Sequence, residues 1–180
     1  MIRTIRSLAL AAVLAIAALT TTGPATAQEQ KFIVDQNGCK VVNPFPRAEE
    51  SITWTGGCDA DGFTDGEGVL QWYQSGVADE KYEGEMKHGY AHGKGSQTMV
   101  DGSRYEGEWK NSRQEGEGTF YAIDGSIYQG GWKDGKPHGV GMYRTPDGRV
   151  MRGEWEDGEL KSGAPDGDAE PEDADNPNRT

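Results

Sequence analysis

The sequence predicts an all-β protein: an elongated, twisted antiparallel sheet of consecutive hairpins, with a disulfide-pinned N-terminal cap before it and a disordered acidic tail after it. Three observations predict this. A short aromatic–glycine motif returns at a fixed step of 23 residues. Within each copy apolar and charged side chains alternate, which is the period of a strand. With 27 glycines in 180 residues and 34% hydrophobic residues, the composition argues against a thick globular core.

The repeat is read first because self-similarity decides the architecture. Tyr82-Glu83-Gly84-Glu85-Met86 recurs as Tyr105-Glu106-Gly107-Glu108-Trp109, as Tyr128-Gln129-Gly130-Gly131-Trp132 and as Met151-Arg152-Gly153-Glu154-Trp155. Gly93, Gly116 and Gly139 keep the same step, as do Gly95, Gly118 and Gly141, and the Asp-Gly pairs ending in Gly102, Gly125 and Gly148. Each unit reads as a hairpin. From Arg104 to Lys110, Tyr105, Gly107 and Trp109 share one face and Glu106 and Glu108 the other. A turn is expected over 111–116, a return strand over 117–123, and a two-residue turn at Asp124-Gly125, a pair that readily takes positive φ. Successive hairpins then pair edge to edge in one meander.

Gly84, Gly107, Gly130 and Gly153 have a structural reason. Without a side chain there, a neighbouring ring can lie across the backbone. The expectation is a Tyr ladder (Tyr82, Tyr105, Tyr128) and a Trp ladder (Trp109, Trp132, Trp155), because aromatics supply most of the burial open to a thin sheet. The opposite face stays charged and wet, as antiparallel sheets allow.

Residues 54–81 read as a degenerate first repeat, with Trp54-Thr55-Gly56-Gly57-Cys58 in the opening slot and Gly62, Gly66 and Gly68 one residue late. Residues 28–53 form a leader or cap, 82–161 the repeat domain of three full units and a closing half unit, and 162–180 the tail. Cys39 and Cys58 are the two cysteines of the chain. In an oxidising compartment they are expected to bridge. Such a loop of roughly 20 residues is worth about 3 kcal/mol in the chain-entropy model.

The pattern Tyr-x-Gly-x-Trp, then Gly, then Gly-x-Gly, then Asp-Gly resembles the MORN repeat family. The resemblance covers 82–158 well and 54–76 weakly. Met86 stands in place of a Trp, Ser112 in place of a Gly, and the last unit opens with Met151. The leader, Cys39-Lys40-Val41-Val42-Asn43-Pro44-Phe45-Pro46, is similar to leaders before such repeats in exported bacterial proteins. The resemblance implies a sheet of hairpins used for protein interaction, dimerisation or membrane-associated scaffolding. Some relatives carry the repeats beside a lipid-kinase domain. This chain shows no Gly-rich phosphate loop followed by Lys, so no kinase activity is carried over.

Residues 1–27 read as a secretory signal: Arg3 and Arg6, the apolar run Leu8 to Leu19, then small residues at Ala25 and Ala27, with cleavage after Ala27. The run is shorter than the roughly 20 residues that span a bilayer. The expected location is therefore periplasmic or secreted. The formal charge is −12, which opposes attraction to nucleic acid or anionic lipid. Residues 164–180 hold six acids against one base and no aromatic, a composition that cannot bury apolar surface.

No catalytic, cofactor or metal site is expected. Glu83/Glu85 and Glu106/Glu108 repeat in register, as a solvated face does and an active site does not. His88 and His92 have helical ligand spacing but sit in a turn, with no cysteine or fixed carboxylate expected to complete a set. Asp59 to Glu67 fails the EF-hand register, since Phe63 stands where a ligand should be. The expected function is a non-enzymatic interaction or scaffold module of the envelope, with unidentified envelope proteins as partners. The alternative is lipid or cell-wall glycan binding. A wall-acting hydrolase is opposed by the repeating carboxylates. The open sheet edges invite a homodimer.

Overall fold

The computed structural model describes residues 31–165. The segment 1–27, expected to be a secretory signal, and most of the acidic tail lie outside the described residues. Thirteen strands and no helix are found among the described residues: β1 Phe32–Val34, β2 Lys40–Val42, β3 Glu50–Trp54, β4 Gly57–Cys58, β5 Thr64–Gln74, β6 Val77–Lys87, β7 Tyr90–Thr98, β8 Arg104–Lys110, β9 Arg113–Tyr121, β10 Ile127–Lys133, β11 Lys136–Arg144, β12 Val150–Glu156 and β13 Glu159–Pro165. From β5 onward each strand pairs antiparallel with the next, and β3 covers the other side of β5. This is the expected meander. β1 and β2 form a separate hairpin.

Two kinds of turn alternate, and they correct the expected turn chemistry. The tight two-residue turns are Ser75-Gly76, His88-Gly89, Asn111-Ser112, Asp134-Gly135 and Asp157-Gly158, each with both φ angles positive, as a type I′ hairpin requires. At Asn111-Ser112 the angles are 50° and 60°. The turn is therefore much shorter than 111–116. Pairing resumes at once with Lys110 opposite Arg113. Gly116 is a strand residue: a Cβ there would lie 2.8 Å from the Glu108 carboxyl carbon.

Asp124-Gly125 is not a two-residue turn. Ala122 N–H donates to the Ser126 carbonyl at 3.0 Å and Gly125 N–H to the Ala122 carbonyl at 3.1 Å. That closes a three-residue loop over Ile123, Asp124 and Gly125, with the glycine left-handed at its end. Asp124 Oδ1 accepts the Ser126 N–H at 2.8 Å, the local side-chain bond that favours Asp in such loops. The loops at Asp101-Gly102 and Asp147-Gly148 close with the same backbone bonds.

The core lies on one face of the sheet. Tyr82, Met86, Tyr105, Trp109, Tyr128 and Trp132 are buried there, and Tyr105 is 0% exposed. The rings do not form separate Tyr and Trp ladders. They make one interleaved row, Tyr82–Trp109–Tyr105–Trp132–Tyr128–Trp155, with centroids 5.0–5.4 Å apart and planes close to perpendicular. The negative face of one ring meets the positive edge of the next, the preferred aromatic arrangement. Tyr105 and Tyr128 each touch the Trp of their own hairpin and that of the following one, while Tyr82, whose own hairpin carries Met86, touches Trp109 of the following one.

The cap is tied to this face. Cys39 and Cys58 are bonded, with Cα atoms 5.6 Å apart, within the ordinary range. Cys39 and Val41 are buried with Ile52, Trp54, Leu70 and Met86. Val42 N–H donates to the Gly89 carbonyl at 3.0 Å and Lys40 N–H to Gly62 at 2.8 Å. Trp54 does in the first unit what the tyrosines do later, its ring lying over Gly56 and Gly68. At the other end the closing unit is a full hairpin: Gly153 faces Gly163, as Gly107 faces Gly118.

Candidate interaction surface

The row of rings is fixed by hydrogen bonds that recur with the repeat. Tyr82 OH donates to the Glu85 carbonyl at 2.8 Å, Tyr105 OH to Glu108 at 3.0 Å and Tyr128 OH to Gly131 at 2.9 Å. The indole N–H groups of Trp109, Trp132 and Trp155 donate across the strand to the carbonyls of Gly95, Gly118 and Gly141, at 3.1, 3.1 and 3.3 Å. Buried polar tips thus find partners, as they must. Burial holds the Tyr82 and Tyr105 phenols well above their ordinary pKa. It pushes Tyr128 up to about 12, with Glu117 adding to the effect. All three remain protonated donors at neutral pH.

The rings do not lie over the glycines expected to make room, Gly84, Gly107, Gly130 and Gly153, but over Gly95, Gly118 and Gly141 on the return strands. A Cβ on Gly118 would lie 2.6 Å from carbons of the Tyr105 ring, and Gly95 and Gly141 stand likewise under Tyr82 and Tyr128. Gly107 is closed by the Tyr105 hydroxyl and by the backbone of β9. Gly84 and Gly130 are closed by the backbones of β7 and β11, and Gly153 by that of β13.

The aromatic face is covered at one end and open at the other. Beside the cap, a hollow of about 250 Å³ lies between Val41–Pro44 and the first units. Over the later units a groove of about 620 Å³ opens, floored by Tyr128, Trp132 and Trp155 and walled by Phe120, Tyr143 and Met151. Sequence reading found the floor and missed the walls. Phe120 and Tyr143 do keep the repeat step, but Gln97 holds that place in the first full unit.

The opposite face carries the glutamates. Glu83, Glu106, Glu108 and Glu117 line a separate groove of about 890 Å³ with Lys94 and Arg104. Lys81 pairs with Glu83 at 3.1 Å, and Arg104 with Glu106. This is a charged, solvated surface that repeats along the sheet.

One cluster was not foreseen. The chain brings Asp59, Asp61 and His88 together, their ligand-type atoms within 4.8 Å of one another. Carboxylates therefore do stand beside His88, contrary to the sequence reading, because the β6–β7 turn meets the loop after β4. His92 is not in the cluster. Internal bonds account for the group. Asp59 Oδ1 accepts N–H from Asp61 and Phe63, at 3.0 and 2.8 Å, and Asp59 Oδ2 contacts His88 Nδ1 at 2.7 Å. Desolvation opposes ionisation of Asp59, but these bonds outweigh it and hold its carboxyl below the usual range.

Fold and surface together define a class: an open sheet of stacked hairpin repeats with one ring-paved face and one charged face. The family comparison agrees. Residues 60–77, 82–104, 105–127 and 128–148 each match the MORN repeat model, and the chain belongs to the MORN repeat family. MORN repeats are non-catalytic modules of protein and membrane interaction. No curated protein matches the chain.

Proposed function

We propose that this protein is an exported interaction module that holds another protein on the aromatic face of its repeat array, within the cell envelope and without chemistry of its own. One observation carries the reading. The apolar face is buried by the cap over the first units and lies uncovered over the later ones, where Trp155, Tyr143 and Phe120 are only partly buried. An apolar groove bounded by polar surface marks an interaction site. The disulfide supports export, since such bonds persist in oxidising compartments. Tyr105 holds the fold, while Tyr128, Trp132 and Trp155 also floor the groove. Envelope lipid or glycan is the second reading, favoured by the same exposed rings; the glutamate face opposes anionic lipid.

The test is partner capture from envelope extract, using tagged residues 28–180 and chemical crosslinking. Two variants serve: Tyr143→Glu in the groove and Val140→Glu on the charged face, both checked for folding by circular dichroism. A protein partner lost only with Tyr143→Glu supports the reading. A partner kept by Tyr143→Glu, or recovery of lipid and glycan alone, rejects it.

A further inference from the structure

The open groove and the hollow beside the cap are the same site, two repeats apart. A shift of two repeats carries Tyr82 onto Tyr128, Met86 onto Trp132 and Trp109 onto Trp155. It also carries Gln97 onto Tyr143, Ala91 onto Pro137 and Ser112 onto Gly158. The first member of each pair lines the hollow beside Val41–Pro44, and the second lines the open groove. Gly89 accepts the Val42 N–H, and its missing side chain makes room for a Val42 methyl 3.2 Å from the Cβ position. Two repeats on, Gly135 stands at the groove rim. Gln114 lines both sites, so they are continuous.

The chain therefore shows what one copy of this site holds: an extended, uncharged stretch of backbone with paired valines, followed by Asn-Pro. We propose that the open groove takes an extended apolar peptide segment of a partner protein, of the kind the cap presents, seated against the tight turns as Val42 is against Gly89. The proposal rests on the interaction reading above and names its ligand class. The lining allows no charge on the seated side chains, because burying an unpaired charge is costly. Trp132 in place of Met86 and Tyr143 in place of Gln97 make the second site more aromatic, which suits proline and aromatic side chains as well as valine. The extended form follows from the cap, whose β2 strand makes the corresponding contacts without a helix.

The test uses residues 28–180 and dye-labelled peptides, read by fluorescence anisotropy. The probe is a peptide of residues 39–46 carrying Cys39→Ser. The controls are the same peptide with Val41→Asp and Val42→Asp, and an amphipathic helical peptide. The expected result is saturable binding of the probe, weakened at least about tenfold by either Asp substitution or by Tyr143→Glu or Met151→Glu in the protein, and unchanged by Val140→Glu. Pro137→Glu at the rim replaces any groove variant that fails to fold. Absent binding, equal binding of the Asp peptide, or tighter binding of the helical peptide overturns the proposal. If the probe fails while partner capture still needs Tyr143, the interaction reading stands and this inference falls.

Discussion

Tyr105 closes over Gly118. Its ring carbons lie 2.6 Å from where a Cβ on Gly118 would stand, and its hydroxyl reaches past the glycine to the Glu108 carbonyl at 3.0 Å. Trp132 then donates its indole N–H to the Gly118 carbonyl at 3.1 Å and sets its ring edge-on to Tyr105, 5.0 Å away. One glycine thus receives the ring of its own hairpin and the hydrogen bond of the next. The sheet has a single layer, and this joint does for it what a second layer does elsewhere.

Gly118→Ala should destabilise the protein by about 1–3 kcal/mol, the usual cost of forcing extra volume into a packed site. Tyr105 is 0% exposed and cannot move aside. Gly125→Ala, with nothing within 4 Å of its Cβ position, should act only through its left-handed φ and leave the ring row intact. Thermal melting with near-ultraviolet dichroism separates the two. An unchanged melt for Gly118→Ala would show that the ring does not seat there.

Trp132→Ala should cost about 3–5 kcal/mol, as deletion of a buried Trp does. Trp132→Phe keeps much of the packing but loses the bond to Gly118, worth about 1 kcal/mol. Urea unfolding midpoints for the pair measure both terms. Equal losses would assign all of the effect to the hydrogen bond.

Cys58→Ser should lower stability by about 3 kcal/mol through the freed chain. Its first visible effect should be local. Amide exchange in β1 and β2 should speed up while β8 to β11 stay protected, because the later hairpins do not depend on the cap. Uniform acceleration across the sheet would make the cap a part of the global fold instead.

Alkali should unfold the array in a defined window. Burial raises the phenol pKa of Tyr82, Tyr105 and Tyr128, to about 12 for Tyr128. The unfolded chain therefore releases these protons first. Their contribution to stability is complete below the ordinary value of 10.0 and is lost as pH rises from there through about 12. Phenolate absorbance should show Tyr82, Tyr105 and Tyr128 titrating only with loss of fold. Titration of these three near 10 with the fold intact would contradict their burial.

The step of the repeat, the buried rings and the cysteine pair were legible because residue identity alone encodes them. The interleaving of Tyr105 between Trp109 and Trp132 was not, since it depends on how far adjacent hairpins are offset. Gly116 looked like turn punctuation, yet it gives room to Glu108, while Asn111 and Ser112 took the positive φ angles. The docking of Val41 and Val42 was hidden for another reason. β1 and β2 have three residues each, and what buries them comes from far along the chain. The groove walls were masked by Gln97, which breaks the aromatic column at its start.

Photo-crosslinking from single positions distinguishes the two faces. A benzophenone side chain at Met151 or Tyr143 sits in the groove, and one at Val140 sits on the charged face. In envelope extract, Met151 and Tyr143 should give the same discrete protein adduct, competed by the cap-derived peptide, and Val140 should give none. The adduct arising from Val140 instead, or from all three positions alike, would mean that the aromatic groove is not the binding surface.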